Sequence, residues 1–238
     1  MALVPSLQIF RHRAYLQFWM MRVSVASARQ MQFVAIGWQV YDLARDPVET
    51  GGMGLSINEA AFMLGLVGLV QFIPVLLLSL IGGQAADRLN RKMILVVSNL
   101  VRLIGTVGLL VTLTLPASQA LPLIFGVAAL LGIVNAFTPA AASALYPRLV
   151  PRIELPTAIA FNSLGFQTAK IVGPAIGGLL LAAGGLSLVY IVAFGLISFA
   201  ILAIATAKTP AHEKLDNARG FDMVFEGLRY IGRNKIVL

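Results

Sequence analysis

Long apolar stretches alternate with short polar or charged ones along the chain. The pattern predicts six helices, over 14–41, 59–86, 92–115, 122–145, 156–183 and 186–207. Each reaches the ~20 residues that cross a hydrocarbon core, and a helix satisfies its own backbone in lipid. Turn signals separate them: Asp46-Pro47 and Gly51-Gly52, then the stretch 116–121, then Gly184-Gly185. The first run differs from the others. It holds Arg22, Arg29, Gln30, Gln32 and Gln39. That is too polar to face lipid all round, so one side is expected to meet other helices or a cavity.

The two ends carry their own patterns. Residues 1–13 form a short lead with Arg11, His12 and Arg13 and lack the apolar core of a cleavable signal. Residues 208–238 form a charged, water-exposed segment. Within it, Phe221, Val224, Phe225 and Leu228 recur at helical spacing against Asp222, Glu226, Arg229 and Arg233. An amphipathic helix lying on the membrane or on the bundle is expected there. Ile236-Val237-Leu238 then reads as the start of another apolar run.

Composition agrees with a lipid environment. Of 238 residues, 58% are hydrophobic and 12% charged, and the mean hydropathy is +0.87. A soluble domain would carry roughly 25% charged residues. The net charge of +8 does not point to nucleic acid, because the basic residues are scattered over hinges and form no single face. There are no cysteines, and His12 and His212 lie outside the apolar runs. Thiolate and imidazole chemistry are therefore not expected, nor is a metal, a cofactor or an enzymatic reaction. Orientation follows from Lys and Arg. Arg11, Arg13, Arg88, Arg91, Lys92, Arg148 and Arg152 fall on one side, and Arg45 stands on the other beside Asp42, Asp46 and Glu49. The positive-inside rule places both termini in the cytoplasm.

The hinge 83–92 carries the most specific pattern. Gly83-x-x-x-Asp87-Arg88-x-x-Arg91-Lys92, between a second and a third helix, resembles motif A of the major facilitator superfamily. Asn90 stands where that family usually has Gly, and Asn tolerates a left-handed backbone better than most residues. Further matches are Gly37-Trp38-Gln39-Val40-Tyr41, Gln71-Phe72-Ile73-Pro74, Tyr146-Pro147-Arg148-Leu149-Val150-Pro151 and Gly173-Pro174-Ala175-Ile176-Gly177-Gly178. Together they are similar to the efflux branch that includes the enterobactin exporter.

The resemblance implies an all-α membrane protein whose six helices form two inverted three-helix repeats, the first half of a twelve-helix fold. On that reading, 1–13 is a cytoplasmic lead, 14–207 the transmembrane bundle, and 208–238 a linker towards a second six-helix half. The chain is expected either to be part of a longer one or to pair as a half-sized unit. The implied function is secondary active export of small siderophore- or drug-like molecules by alternating access, in a bacterial inner membrane. A half-length, non-transporting membrane subunit is the alternative.

Site expectations follow. Gly83, Asp87, Arg88, Arg91 and Lys92 form a latch between halves, with Gly83 permitting close helix contact. Gly173, Pro174, Gly177 and Gly178 resemble the helix-five motif of exporters, and Pro174 removes a backbone donor. Arg29, Gln32, Asn135, Asn162 and Lys170 are candidate cavity residues, and the cations favour anionic or polar substrates. Snorkelling is the expected fate of Arg22, and pairing with backbone or with acids of a second half that of Arg102. The proton-linked Arg of helix four in that family has no match, since Ala128 stands near its place.

Overall fold

The structure is a computed structural model that describes residues 7–45 and 53–209. The amphipathic stretch 221–235 and the turn signals at 46–52 lie outside the described residues. A 3-10 turn, Leu7–Arg11, leads into α1 (Arg13–Arg45). Then come α2 (Ile57–Arg88), α3 (Arg91–Thr112), α4 (Ala117–Leu145) and α5 (Leu155–Thr206). Two further 3-10 turns, Tyr146–Arg148 and Arg152–Glu154, join α4 to α5.

Local chemistry sets the helix starts. Ser56 and Glu59 form a reciprocal capping box on α2: the Ser56 amide donates to Glu59 Oε2 at 2.9 Å and the Glu59 amide donates to Ser56 Oγ at 3.4 Å. Asn90 N-caps α3, its Oδ1 accepting from the amides of Lys92 at 3.0 Å and Met93 at 3.3 Å. Its backbone is extended, φ −63° and ψ 110°. The Asn that replaces the family's Gly therefore serves as a cap, not as a left-handed turn residue.

Two boundaries differ most from the sequence expectation. α1 continues to Arg45, and α4 begins at Ala117 instead of residue 122. Pro122 is carried inside α4, where it deletes one bond to the carbonyl of the exposed Ser118. Burial of Ala117, Ala120 and Leu121 on the bundle side holds that extra turn in place.

A straight helix of 52 residues would be about 78 Å long, more than twice a ~30 Å hydrocarbon core. α5 is not straight. Gly184 and Gly185 leave the helical region, and Gly185 takes φ +68°, where glycine is favoured. The limbs on either side, 155–183 and 186–206, run antiparallel. Trp19 Nε1 donates to the Phe161 carbonyl at 2.9 Å and Gln17 Nε2 to Thr206 Oγ1 at 3.0 Å. The beginning and the end of α5 thus meet the same end of α1. At the far end Tyr190 OH donates to Gln39 Oε1 at 2.7 Å.

Among the described residues, α2, α3, α4 and α5 are long and apolar enough to cross a membrane. α1 is 33 residues long but too polar to count by composition. It is the inner helix, packed mainly on both limbs of α5 and also on α2, while α2 lies on α4 and α3 bridges α4 and α5. The outer faces are apolar: Phe62, Leu77, Ile104, Ile171 and Leu202 are all well exposed.

Close backbone approach joins the helices. A Cβ added at Gly82 would run into the carbonyl of Ala136, and one at Gly132 into the carbonyl of Gln71. α2 and α4 therefore touch backbone to backbone at two levels. On α5 the small residues Ala158, Gly165, Ala169, Gly173 and Gly177 are buried. An added Cβ at Gly173 would stand 2.7 Å from Gln30 Cβ, and one at Gly177 3.0 Å from Met31 Cα. The tight contact at the end of α2 is thus made by Gly82. Gly83, expected to make it, has open space around its Cβ position among the described residues.

Substitution of Gly82 or Gly132 by Ala is expected to destabilise the bundle by about 1–3 kcal/mol, the usual cost of overpacking. Gly126→Ala, where nothing stands within 4 Å, should change stability by less than about 0.5 kcal/mol. Thermal unfolding of the detergent-solubilised variants measures the difference.

Candidate functional site

Four cations are carried on the helices: Arg22 and Arg29 on α1, Arg102 on α3 and Lys170 on α5. A charge at the centre of a membrane helix costs at least ~2.5 kcal/mol, so the surroundings of each decide what it does. None of the four is ion-paired among the described residues, where the salt bridge is His12 Nε2 to Glu154 Oε2 at 3.0 Å. Arg22 and Arg29 are seven residues apart and share a face of α1. Both guanidinium groups lie over the Phe166 ring, at 5.3 and 5.8 Å from its centroid, and Lys170 Nζ lies 4.7 Å from the same point. The negative π-face offsets part of the charge that carboxylates would otherwise balance.

Arg29 also lines a cavity of ≈ 210 Å³ between α1, α2, α3 and α4. Gln30 and Gln32 of α1, Gln71 of α2, Arg102 of α3 and Asn135 of α4 supply its polar wall, and Phe33, Ile36 and Leu131 its apolar one. Arg102 Nη2 donates to Asn135 Oδ1 at 3.1 Å. Gln32 Nε2 donates to Thr106 Oγ1 at 2.7 Å, and Thr106 Oγ1 in turn donates to the Arg102 carbonyl at 2.9 Å. These bonds fix Gln32 and Arg102 as rigid wall groups. The arrangement can bind a polar or negatively charged group reversibly. No grouping of three or more His, Cys, Asp or Glu that could hold a metal occurs among the described residues.

The sequence candidates divide. Arg29, Gln32 and Asn135 come together in the cavity. Lys170 belongs to the Phe166 cluster, one turn along α5. Asn162 lies beside the Trp19–Phe161 contact, its Oδ1 buried without a partner. Neither it nor Lys170 lines the cavity. Gln71 and Arg102 are polar cavity residues that the sequence does not single out as such, while Gln30 belongs to the polar side of the first run expected to meet helices or a cavity. For Arg102 the signal was present, since it is the one charge in the run 93–115. It does not snorkel: its side chain is 1% exposed.

The hinge 83–92 is a set of helix caps. Arg91 Nε donates to the Ala86 carbonyl at 3.1 Å, closing the end of α2. Lys92 Nζ donates to the carbonyls of Ala205 and Ala207 at 2.8 and 2.7 Å. It thus closes the end of α5, where a cation also meets the negative pole of the helix. Asp87 is exposed and makes no hydrogen bond or ion pair with the described residues. In the helix-five motif, Gly173 and Gly177 face α1, while Gly178 has open space around its Cβ position.

Comparison with known proteins places this architecture. Residues 4–237 match the model of the family described as transmembrane secretion effector, within the major facilitator superfamily. The multidrug efflux pump Tap of Mycolicibacterium fortuitum is 30% identical over 195 residues, 74% of this chain and 45% of that protein. The enterobactin exporters EntS of Salmonella typhimurium and of Escherichia coli O9:H4 are each 31% identical over 145 residues, 59% of this chain and 33% of theirs. The matched stretch thus spans less than half the length of each relative. The chain is a multi-pass membrane protein, not an enzyme, and it belongs to the transmembrane secretion effector family of major facilitator transporters.

Proposed function

We propose that this chain supplies the first six-helix half of a secondary active exporter of small molecules that works by alternating access. The observation that carries the reading is the cavity itself. α1, α2, α3 and α4 converge on a mixed polar and apolar space with two cations and several amides, and no described carboxylate neutralises them. Such a site can hold a polar or anionic solute and release it, which transport requires and catalysis does not. Export, as opposed to uptake, is supported by the efflux function in the names of the relatives. The exporter-like motif on α5, with Gly173 and Gly177 buried, supports it further. On this reading 155–183 and 186–206 are the fifth and sixth spans of two inverted three-helix repeats. The basic ends at Arg88, Arg91, Lys92, Arg148 and Arg152 face the cytoplasm of a bacterial inner membrane.

Motif A has two parts here. Arg91 and Lys92 hold helix ends within this half. Asp87 is presented outward at the C-terminal end of α2, where a carboxylate is unfavourable until a cation or a helix N-terminus meets it. Its partner is expected on the second six-helix half, closing the cytoplasmic side in the outward-facing state.

Efflux of a panel of siderophores and drugs from cells with and without the whole gene tests the reading. A difference in retention is expected for at least one anionic compound, and none for any compound would sink it. In the same cells, Arg29→Ala should lower export of that compound about tenfold or more, the usual scale of a lost hydrogen bond to a charged group. Asp87→Asn is expected to slow turnover by a similar factor while leaving substrate affinity within about twofold, because it biases the two states and touches no ligand. Unchanged turnover in Asp87→Asn would reduce the hinge to caps and a topology signal.

A further inference from the structure

We infer that Arg102 anchors a binding site for a small carboxylate inside this bundle. Its use for transport rests on the exporter reading above, whereas the binding itself does not. Arg102 sits midway along α3 with its side chain 1% exposed. One guanidinium nitrogen, Nη2, reaches Asn135 Oδ1. The other two, Nε and Nη1, are buried with no hydrogen-bond partner, and both amide atoms of Asn99, one turn earlier, are in the same condition. A charge held out of water with most of its donors unpaired is strongly destabilising, and an arriving oxyanion removes that cost. Arg102 is part of the cavity wall, and an oxyanion seated there meets it once the side chain turns its sealed nitrogens towards the space.

The ligand class follows from shape and polarity. A cavity of ≈ 210 Å³ is many times the roughly 10–15 Å³ that one water needs, so an acid group on a short stem fits. Phe33, Ile36 and Leu131 make an apolar wall for the stem. A guanidinium is planar and matches the planar carboxylate. Gln32, whose Nε2 is engaged by Thr106, keeps its Oε1 buried and unpartnered among the described residues, a second polar group of the wall left without a partner. Arg29 adds a second positive charge to the same wall. Where the carboxylate belongs to a larger substrate, this cavity holds its acidic end.

Equilibrium binding of radiolabelled benzoate to the whole purified protein in lipid nanodiscs tests the site. Saturable binding is expected, with no competition from the neutral isostere benzamide or from chloride. Arg102→Gln should weaken it at least about tenfold. Asn135→Asp guards against a misfolded Arg102 variant. It is isosteric and places a carboxylate where Oδ1 now stands, 3.1 Å from Nη2. It should raise the unfolding temperature and abolish benzoate binding, because the protein then supplies its own anion. The inference is overturned by any of four results: no saturable binding, equal binding to Arg102→Gln, equal competition by benzamide or chloride, or wild-type binding to Asn135→Asp. Efflux measured in parallel separates the two readings. Benzoate binding without efflux of any compound removes the exporter and keeps the site; efflux without benzoate binding removes the site alone.

Discussion

Helices that already share an apolar solvent gain little hydrophobic energy by meeting one another, so contact area at short range has to hold them together. Here that contact is made where side chains are absent. Gly82 and Gly132 let α2 and α4 touch carbonyls, and Gly173 and Gly177 let α5 reach the backbone level of α1. The rest of the bundle depends on these approaches. They bring α1 between the two limbs of α5 and set the distances at which Gln32 reaches Thr106, Gln39 reaches Thr112 and Tyr190 reaches Gln39. Those interhelical bonds then satisfy polar groups that lipid would not.

The same close packing makes the interior a costly place for charge, which gives the cations their meaning. Three of them crowd one phenyl ring, and the fourth is sealed in the bundle with an amide as its described partner. Structural cations in a membrane bundle ordinarily pair with acids or reach the interface. Arg29 and Arg102 do neither among the described residues, and they share one cavity. The field in that cavity is positive from two helices at once. It favours a negatively charged occupant before any detail of shape is considered.

Much of the fold was legible in the sequence because lipid makes the rule simple: an apolar run of sufficient length is a span. Gly184-Gly185 was likewise legible, since a break must fall within so long a run. Pro122 misled because proline is read as a boundary, whereas near a helix start it removes a bond to a carbonyl that faces outward. Gly83 misled for another reason. Two adjacent glycines look alike in sequence, and only the placement of Ala136 shows that Gly82 is the one pressed against a neighbour. Of the site, Arg29, Gln32 and Asn135 were identified from polarity alone. Arg102 reads from sequence as a residue paired with backbone or with a second half, because composition cannot say which face of α3 turns inward. The polar stripe Ser98, Asn99, Arg102, Thr106 and Thr112 is that inward face. Its helical spacing was the available signal, and it becomes decisive once α1 and α4 are in place to receive it.

The hinge that carries the most specific sequence pattern acquires a double role from the same logic. A run of basic residues suffices to mark the cytoplasmic side, but Lys92 and Arg91 are held by carbonyls at the ends of α5 and α2. Lys92 fastens the last turn of 186–206 to the first turn of α3, and Arg91 ties that turn back to the end of α2. On the proposed exporter reading, a fixed edge is what a rocking half would need if one exposed carboxylate is to act as a contact between halves. Were α2 free to fray at Ala86, the position of Asp87 would be averaged over many orientations and no single partner could meet it. On the exporter reading proposed above, the caps would hold that carboxylate ready for a partner, and the two parts of the hinge would act together.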